Sequence, residues 1–254
     1  MLDGGWGAYA EADGPAPATV HDSMQLMRDL AVTPPRRTRK SDETRTRILE
    51  AALDLFRERG FEATTMRDIA SACEIALGAT YYHFASKEAI VLAFYELAKD
   101  EMSGPLDEAA RDAKNLKQGL RAVLDIKFGY FAPNRKFLGA LFPHAADPQD
   151  PLSPFSDQNR PIRLADQECF RQLLASTKTA VPADLAPFLP DVLWLYQMAL
   201  ILIWIYDRSP SQRRTRNILA KSLPVVVKFI ELSRLPLTKP VRRMLVELLE
   251  AVLR

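Results

Sequence analysis

The strongest hydrophobic period in the chain runs over residues 44–59, where Ile48, Ala51, Ala52, Leu55 and Phe56 fall at i, i+3, i+4, i+7 and i+8. That spacing lays one apolar stripe along a helix. Gly60 stands where a helix stops in left-handed backbone, and Phe61 beyond it closes the hydrophobic contact of such a stop. Thr65, followed three residues later by Asp68, reads as a capping box that opens a short second helix carrying Ile69, Ala70 and Ala72 and ending near Cys73. After a turn at residues 74–76 a third short helix spans residues 77–84, and Ser86 caps a fourth that begins Lys87-Glu88-Ala89-Ile90. Two-turn helices do not hold alone, because nucleation is costly. The short pair needs the first helix as a platform, and a three-helix unit with small Ala70 at the crossing is the helix-turn-helix arrangement.

Beyond residue 90 every period is helical: residues 91–112, 116–131, 160–176, 184–206, 212–232 and 239–253. The four prolines in residues 143–154 predict a loop, as do Pro182, Pro187 and Pro190. No alternating strand pattern occurs, so the predicted fold class is all-α. Residues 1–35 are rich in Gly, Ala, Pro and Asp, with Trp6 and Tyr9 lacking periodic partners, which predicts a tail with a short helix at most around residues 23–30. Arg36, Arg37, Arg39 and Lys40 follow at once, either an arm for DNA phosphates and the minor groove or a solvated linker.

Composition changes this picture little. The 254 residues carry a net charge of +2, so no bulk electrostatic argument favours a nucleic acid. Cys73 and Cys169 stand far apart without a CxxC or a histidine cluster, which argues against a disulfide framework or zinc and for a reducing, cytoplasmic setting. No basic-then-apolar leader opens the chain, and the most apolar run, residues 192–206, is interrupted by Gln197 and short for a bilayer, so no membrane is expected. That run is apolar almost all round and must be covered on every side. Two readings stand: a wholly buried core helix, or a homodimer surface formed with residues 212–232, for which Leu202, Ile205, Tyr206, Leu219 and Val226 are the candidates. Phe128, Phe131, Phe142, Trp194 and Gln197 are candidates to line a pocket between helices, although core packing explains the aromatics equally and no convergent polar set is readable. No nucleophile–base pair, metal-ligand spacing or phosphate loop is present, so no enzyme activity, metal or cofactor is expected.

The run from Thr44 through Gly60-Phe61, then Thr64-Thr65-Met66-Arg67-Asp68-Ile69-Ala70, Gly78-Ala79-Thr80-Tyr81-Tyr82-His83-Phe84 and Ser86-Lys87-Glu88, closely resembles the TetR family of repressors over about 45 residues at the family's own spacing. The resemblance implies a homodimer that binds a double-stranded operator and is released by a small-molecule effector. It implies a basic-armed tail over residues 1–40, a DNA-binding domain over 41–88, an effector-binding and dimerisation domain over 89–235, and an amphipathic helix over 236–254. It places Leu77, Gly78 and Tyr82 at base edges, Tyr81, His83 and Lys87 at phosphates, Arg67 near the start of the second helix in reach of a base or phosphate with the Thr65 hydroxyl on the same edge, and Arg45 at the start of the first helix as a phosphate candidate. Tyr81 reads also as a core aromatic, and Arg67 as a surface partner of Asp68 or Glu62. Three departures stand out: Glu74 where the family has Gly, Ala76 where a hydroxyl caps the third helix, and apolar Leu77 and Ala79 on the reading surface. These departures motivate a rival, a ligand-binding or scaffolding helical dimer with weakened DNA recognition.

Overall fold

The computed structural model describes residues 39–145 and 147–253. The tail, with Arg36 and Arg37 of the expected basic arm, lies outside the described residues. Contacts separate residues 1–43 from Thr44–Arg254; within the first unit the described turn carries an exposed Arg39–Glu43 ion pair at 3.3 Å. The account below concerns the second unit. Among the described residues all regular structure is helical.

Helix α1 (Arg39–Arg59) starts five residues before its apolar period and buries Ile48, Leu49, Ala52, Leu53, Leu55 and Phe56. It stops at Gly60, whose φ of +89° is the left-handed value a side chain resists. Thr65 caps α2 (Met66–Ala72) in a complete box, Asp68 N–H donating to Thr65 Oγ1 at 3.2 Å and Thr65 N–H to Asp68 Oδ2 at 2.8 Å. A short turn leads to α3 (Leu77–His83), and Ser86 caps α4 (Lys87–Asp112) as its spacing predicts. Arg47 reaches from α1 to Cys73 O at 2.8 Å and so ties the end of α2 to the platform.

Next come α5 (Leu116–Phe131), two short helices α6 (Arg135–Ala140) and α7 (Phe142–Ala145), then α8 (Arg160–Ser176), α9 (Leu189–Tyr206), α10 (Arg213–Leu232) and α11 (Lys239–Leu253). The expected loop at 143–154 is corrected in part: Pro143 sits in the first turn of α7, where its missing N–H costs nothing. α9 begins at Leu189 rather than 184, since the segment holding Pro182 and Pro187 runs in turns, whereas Pro190, expected in a loop, sits in the first turn of α9 where its missing N–H costs nothing. α4 packs on α5 and α8, and α8 on α9. Gly119 of α5 lets α8 approach closely, for a Cβ there would lie 2.1 Å from Leu173 Cδ1.

Two apolar clusters result. Phe56, Phe61, Ile69, Ile90, Phe94 and Phe137 form one, so α6 belongs to the core of the helix-turn-helix unit. Leu120, Leu124, Phe170, Leu193 and Leu223 anchor the other. α9, at mean hydropathy 1.5 over 18 residues, has the length and composition of a membrane span, yet Leu193, Trp194, Leu200 and Trp204 are buried inside the protein. Its C-terminal carbonyls are satisfied by Arg135, which donates to Trp204 O at 2.9 Å, to Ile205 O at 3.2 Å and to Asp207 O. Leu219, expected on a dimer surface, is 2% exposed within the second cluster and has nothing left to offer a partner.

Candidate functional site

On α3 the buried side is supplied by Thr80 alone, with Ile75 and Leu77 half-buried against the core beneath. Ala79 and His83 are half-buried, and Gly78, Tyr81 and Tyr82 face outward. Tyr81 is 50% and Tyr82 74% exposed, which removes the core-aromatic reading of Tyr81. Tyr82 meets His83 edge to face, ring centroids 5.2 Å apart. Gly78 is exposed, and a Cβ there would meet no protein atom within 4 Å, so nothing inside the chain demands a glycine. Leu77 differs from expectation, since packing on the core turns part of its side chain away from a base edge.

The flanking residues divide. Arg67 is exposed on α2 and, among the described residues, forms no ion pair with Asp68 or Glu62. Thr65 spends its hydroxyl on Asp68, 2.6 Å from Oδ2, and the hydrogen bonds from Thr65 hold that carboxyl below its usual range. Arg45 lays its guanidinium 4.1 Å over the Phe84 ring. Lys87 is turned inward, donating to Phe61 O at 2.8 Å and lying 4.5 Å over the Phe61 ring, so a phosphate would have to draw it off. Glu74 takes the left-handed backbone its position requires, φ +53°, and Ala76 leaves α3 without a side-chain cap.

A cavity of about 400 Å³ lies between α4, α5, α6, α7, α8 and α9. Phe131, Phe142, Trp194 and Gln197 line it; Phe128 does not, because it packs on Trp204 with centroids 5.4 Å apart. Leu202 and Ile205, expected at a dimer surface, are half-buried and also line the cavity. Tyr206 is exposed and stands edge to face with Phe142, while Val226 is half-buried on the second cluster.

Of the cavity's polar end, sequence reasoning named Gln197 and missed Lys127 and Asp166. Lys127 Nζ lies 2.6 Å from Asp166 Oδ1, and Gln197 Nε2 donates to Asp166 Oδ2 at 2.8 Å. Asn159 and Arg163 line the same space, Arg163 donating to Pro154 O at 2.7 Å. A signal existed: Lys127 continues the stripe Leu120-Val123-Leu124 at i+7, Asp166 precedes Phe170 and Leu173, and Gln197 interrupts Leu193-Leu200-Trp204. Three polar residues on three apolar stripes must meet one another or stay unpaired.

An exposed recognition helix on a three-helix frame, continued by α4 into a helical part with an internal cavity, is the architecture of a helix-turn-helix transcriptional regulator. The chain belongs to the TetR family. Residues 48–94 match the family described as bacterial regulatory proteins, tetR family, and residues 119–247 match the tetracyclin repressor-like C-terminal domain. It is similar to the HTH-type transcriptional regulator YerO of Bacillus subtilis, 32% identical over 113 residues, 43% of this chain and 38% of YerO. It is likewise similar to the HTH-type transcriptional repressor KstR2 of Rhodococcus jostii, 37% identical over 84 residues, 33% of this chain and 41% of KstR2. The chain thus matches less than half the length of either relative. Among solved structures, a TetR-family regulator from Syntrophomonas wolfei has a TM-score of 0.57 at 17% identity, covering 73% of this chain and 95% of that one. NalD, the secondary repressor of the MexAB-OprM multidrug efflux pump in Pseudomonas aeruginosa, has a TM-score of 0.50 at 22% identity, covering 72% and 95%. At such identities the likeness concerns the fold alone.

Proposed function

We propose that this chain is a cytoplasmic repressor: a homodimer that reads a pseudo-palindromic operator with α3 and leaves it when a small molecule occupies the cavity. The observation that carries the reading is the outward face of α3, where Gly78, Tyr81 and Tyr82 stand clear of a buried frame. KstR2 is a named repressor, which supports the direction of the output. No catalytic role is proposed for any residue.

The dimer surface we propose is the outer stripe of α10, Val225, Phe229 and Leu232 at i, i+4 and i+7, all exposed. It replaces Leu219, which is buried, and leaves Leu202 and Ile205, half-buried on α9, beside it as candidates. Titration of the chain's own upstream DNA in rising salt tests the proposal. Affinity falls steeply with salt if phosphates are bound, and Tyr82→Ala weakens the operator at least about tenfold more than random duplex. A flat salt response, or equal loss on both duplexes, overturns it.

One rival has an observation of its own: Glu74 and uncapped Ala76 weaken the seating of α3. A ligand-binding dimer with little DNA affinity predicts no footprint anywhere upstream while the cavity still fills.

A further inference from the structure

The polar end of the cavity is unfinished in one direction. Asp166 accepts from both neighbours, Lys127 on Oδ1 and Gln197 on Oδ2, and a carboxylate can only accept. The Gln197 amide is therefore fixed with its nitrogen toward Asp166 and its oxygen elsewhere. That oxygen, on a residue only 2% exposed, has no hydrogen-bond partner among the described residues, and neither has Oδ1 of Asn159, whose nitrogen is spent on Pro151 O and Ser153 O at 2.9 Å each. Both residues line the cavity. Buried acceptors left without a donor are costly and rare in folded proteins.

Around this end the walls are apolar, with Trp194, Phe131, Met102 and Leu202 among them. The charge of Lys127 is met by Asp166, and Arg163 is engaged with the Pro154 carbonyl and lies 5.8 Å from the Trp194 ring. We propose that the cavity takes a neutral, largely apolar, ring-bearing molecule whose polar end is a hydrogen-bond donor, a hydroxyl above all, directed at Gln197 Oε1. A hydroxyl gives its proton to that oxygen and accepts from Lys127, whose ammonium has donors to spare beyond Asp166. An ionised carboxylate has no proton for Gln197 or Asn159 and would face their lone pairs beside Asp166. The proposal rests on reading the cavity as an effector site.

A matched set of aromatic probes separates the two layers: pyrene, pyrenol, methoxypyrene and pyrenecarboxylate at neutral pH, with energy transfer from tryptophan as the readout. Pyrenol is expected to bind the full-length protein at least about tenfold more tightly than methoxypyrene or pyrenecarboxylate, the discrimination a buried unpaired acceptor exerts. In Gln197→Met, the preference for pyrenol over methoxypyrene collapses to about twofold or less, while pyrene binding stays. If all neutral pyrenes bind the unaltered protein equally, the cavity is a site but the donor requirement is wrong. If pyrenecarboxylate binds best, the polarity of the end has been misjudged. If none binds, the effector reading falls with the proposal. The comparison on the unaltered chain decides even if the variant fails to fold.

Discussion

Glu74 and Ala76 stand two residues apart in the turn before the recognition helix, and each leaves that helix less firmly seated than it needs to be. A side chain in left-handed backbone costs about 1 kcal/mol, and a missing N-cap hydroxyl about as much. Ala76 already has the extended backbone of a cap, φ −64° and ψ 141°. Glu74→Gly and Ala76→Ser are each expected to raise the unfolding free energy by about 0.5–1 kcal/mol, read by urea denaturation. A loss at either position would mean that its present side chain makes a contact worth more than the relief. Both features were legible in the sequence, because backbone handedness and capping depend on residue type and local position. Lys87 was not. The same ammonium suits a phosphate or the Phe61 carbonyl, and only the fold brings Phe61 within reach.

Helices α6 and α7 carry the most consequence for their size. Phe137 stacks on Phe56 of α1 at 5.1 Å, with planes 16° apart, while Leu138, Leu141 and Phe142 beside it line the cavity. Arg57 Nε donates to Asn134 Oδ1 at 2.7 Å just before α6. His144 of α7 bonds Asp150 at 2.6 Å and lies 3.6 Å from Glu62 in the turn after α1. The hydrogen bond to Asp150 outweighs the opposing effect of burial and lifts the His144 pKa above 6.5, with the charges of Asp150 and Glu62 adding to the rise. A raised histidine pKa stabilises the fold fully below the unfolded value and loses that stabilisation as pH rises through the folded one. His144→Gln should therefore cost most stability below about pH 6.5 and progressively less as pH rises through the raised histidine pKa, followed by thermal unfolding across that change. A cost independent of pH would assign the histidine a packing role only. None of this was readable beforehand, since helices of six and four residues are too short to show a period. The long amphipathic helices were, to within a few residues at their ends.

At the scale of the whole molecule, α9, apolar on every side, left two readings open: a buried core helix, or a dimer surface shared with residues 212–232. The fold uses those sides differently, one on the second cluster and another as cavity wall. The exposed apolar residues lie instead on α10 and α11, with Phe229 70% exposed and Leu237, Val241, Met244 and Leu248 beyond it. Phe229→Glu is expected to shift the protein to monomer in sedimentation and to weaken operator binding at least about tenfold, since two linked half-sites become one. A variant that stays dimeric would move the interface away from α10. α4 leads the other way, starting directly behind the recognition helix and passing the cavity at Tyr95, Ala98 and Met102 before ending at Asp112. Its 26 residues make a rod spanning about 39 Å of helix axis, and Pro105, the one interior break in the hydrogen-bond ladder that its sequence imposes, lies beyond the cavity contacts. Swung by about 5° around its far end, such a lever would carry its near end through about 3 Å, close to the rise of one base pair. A molecule that wedges the rod by a fraction of its own width would thereby put the reading head out of step with the duplex.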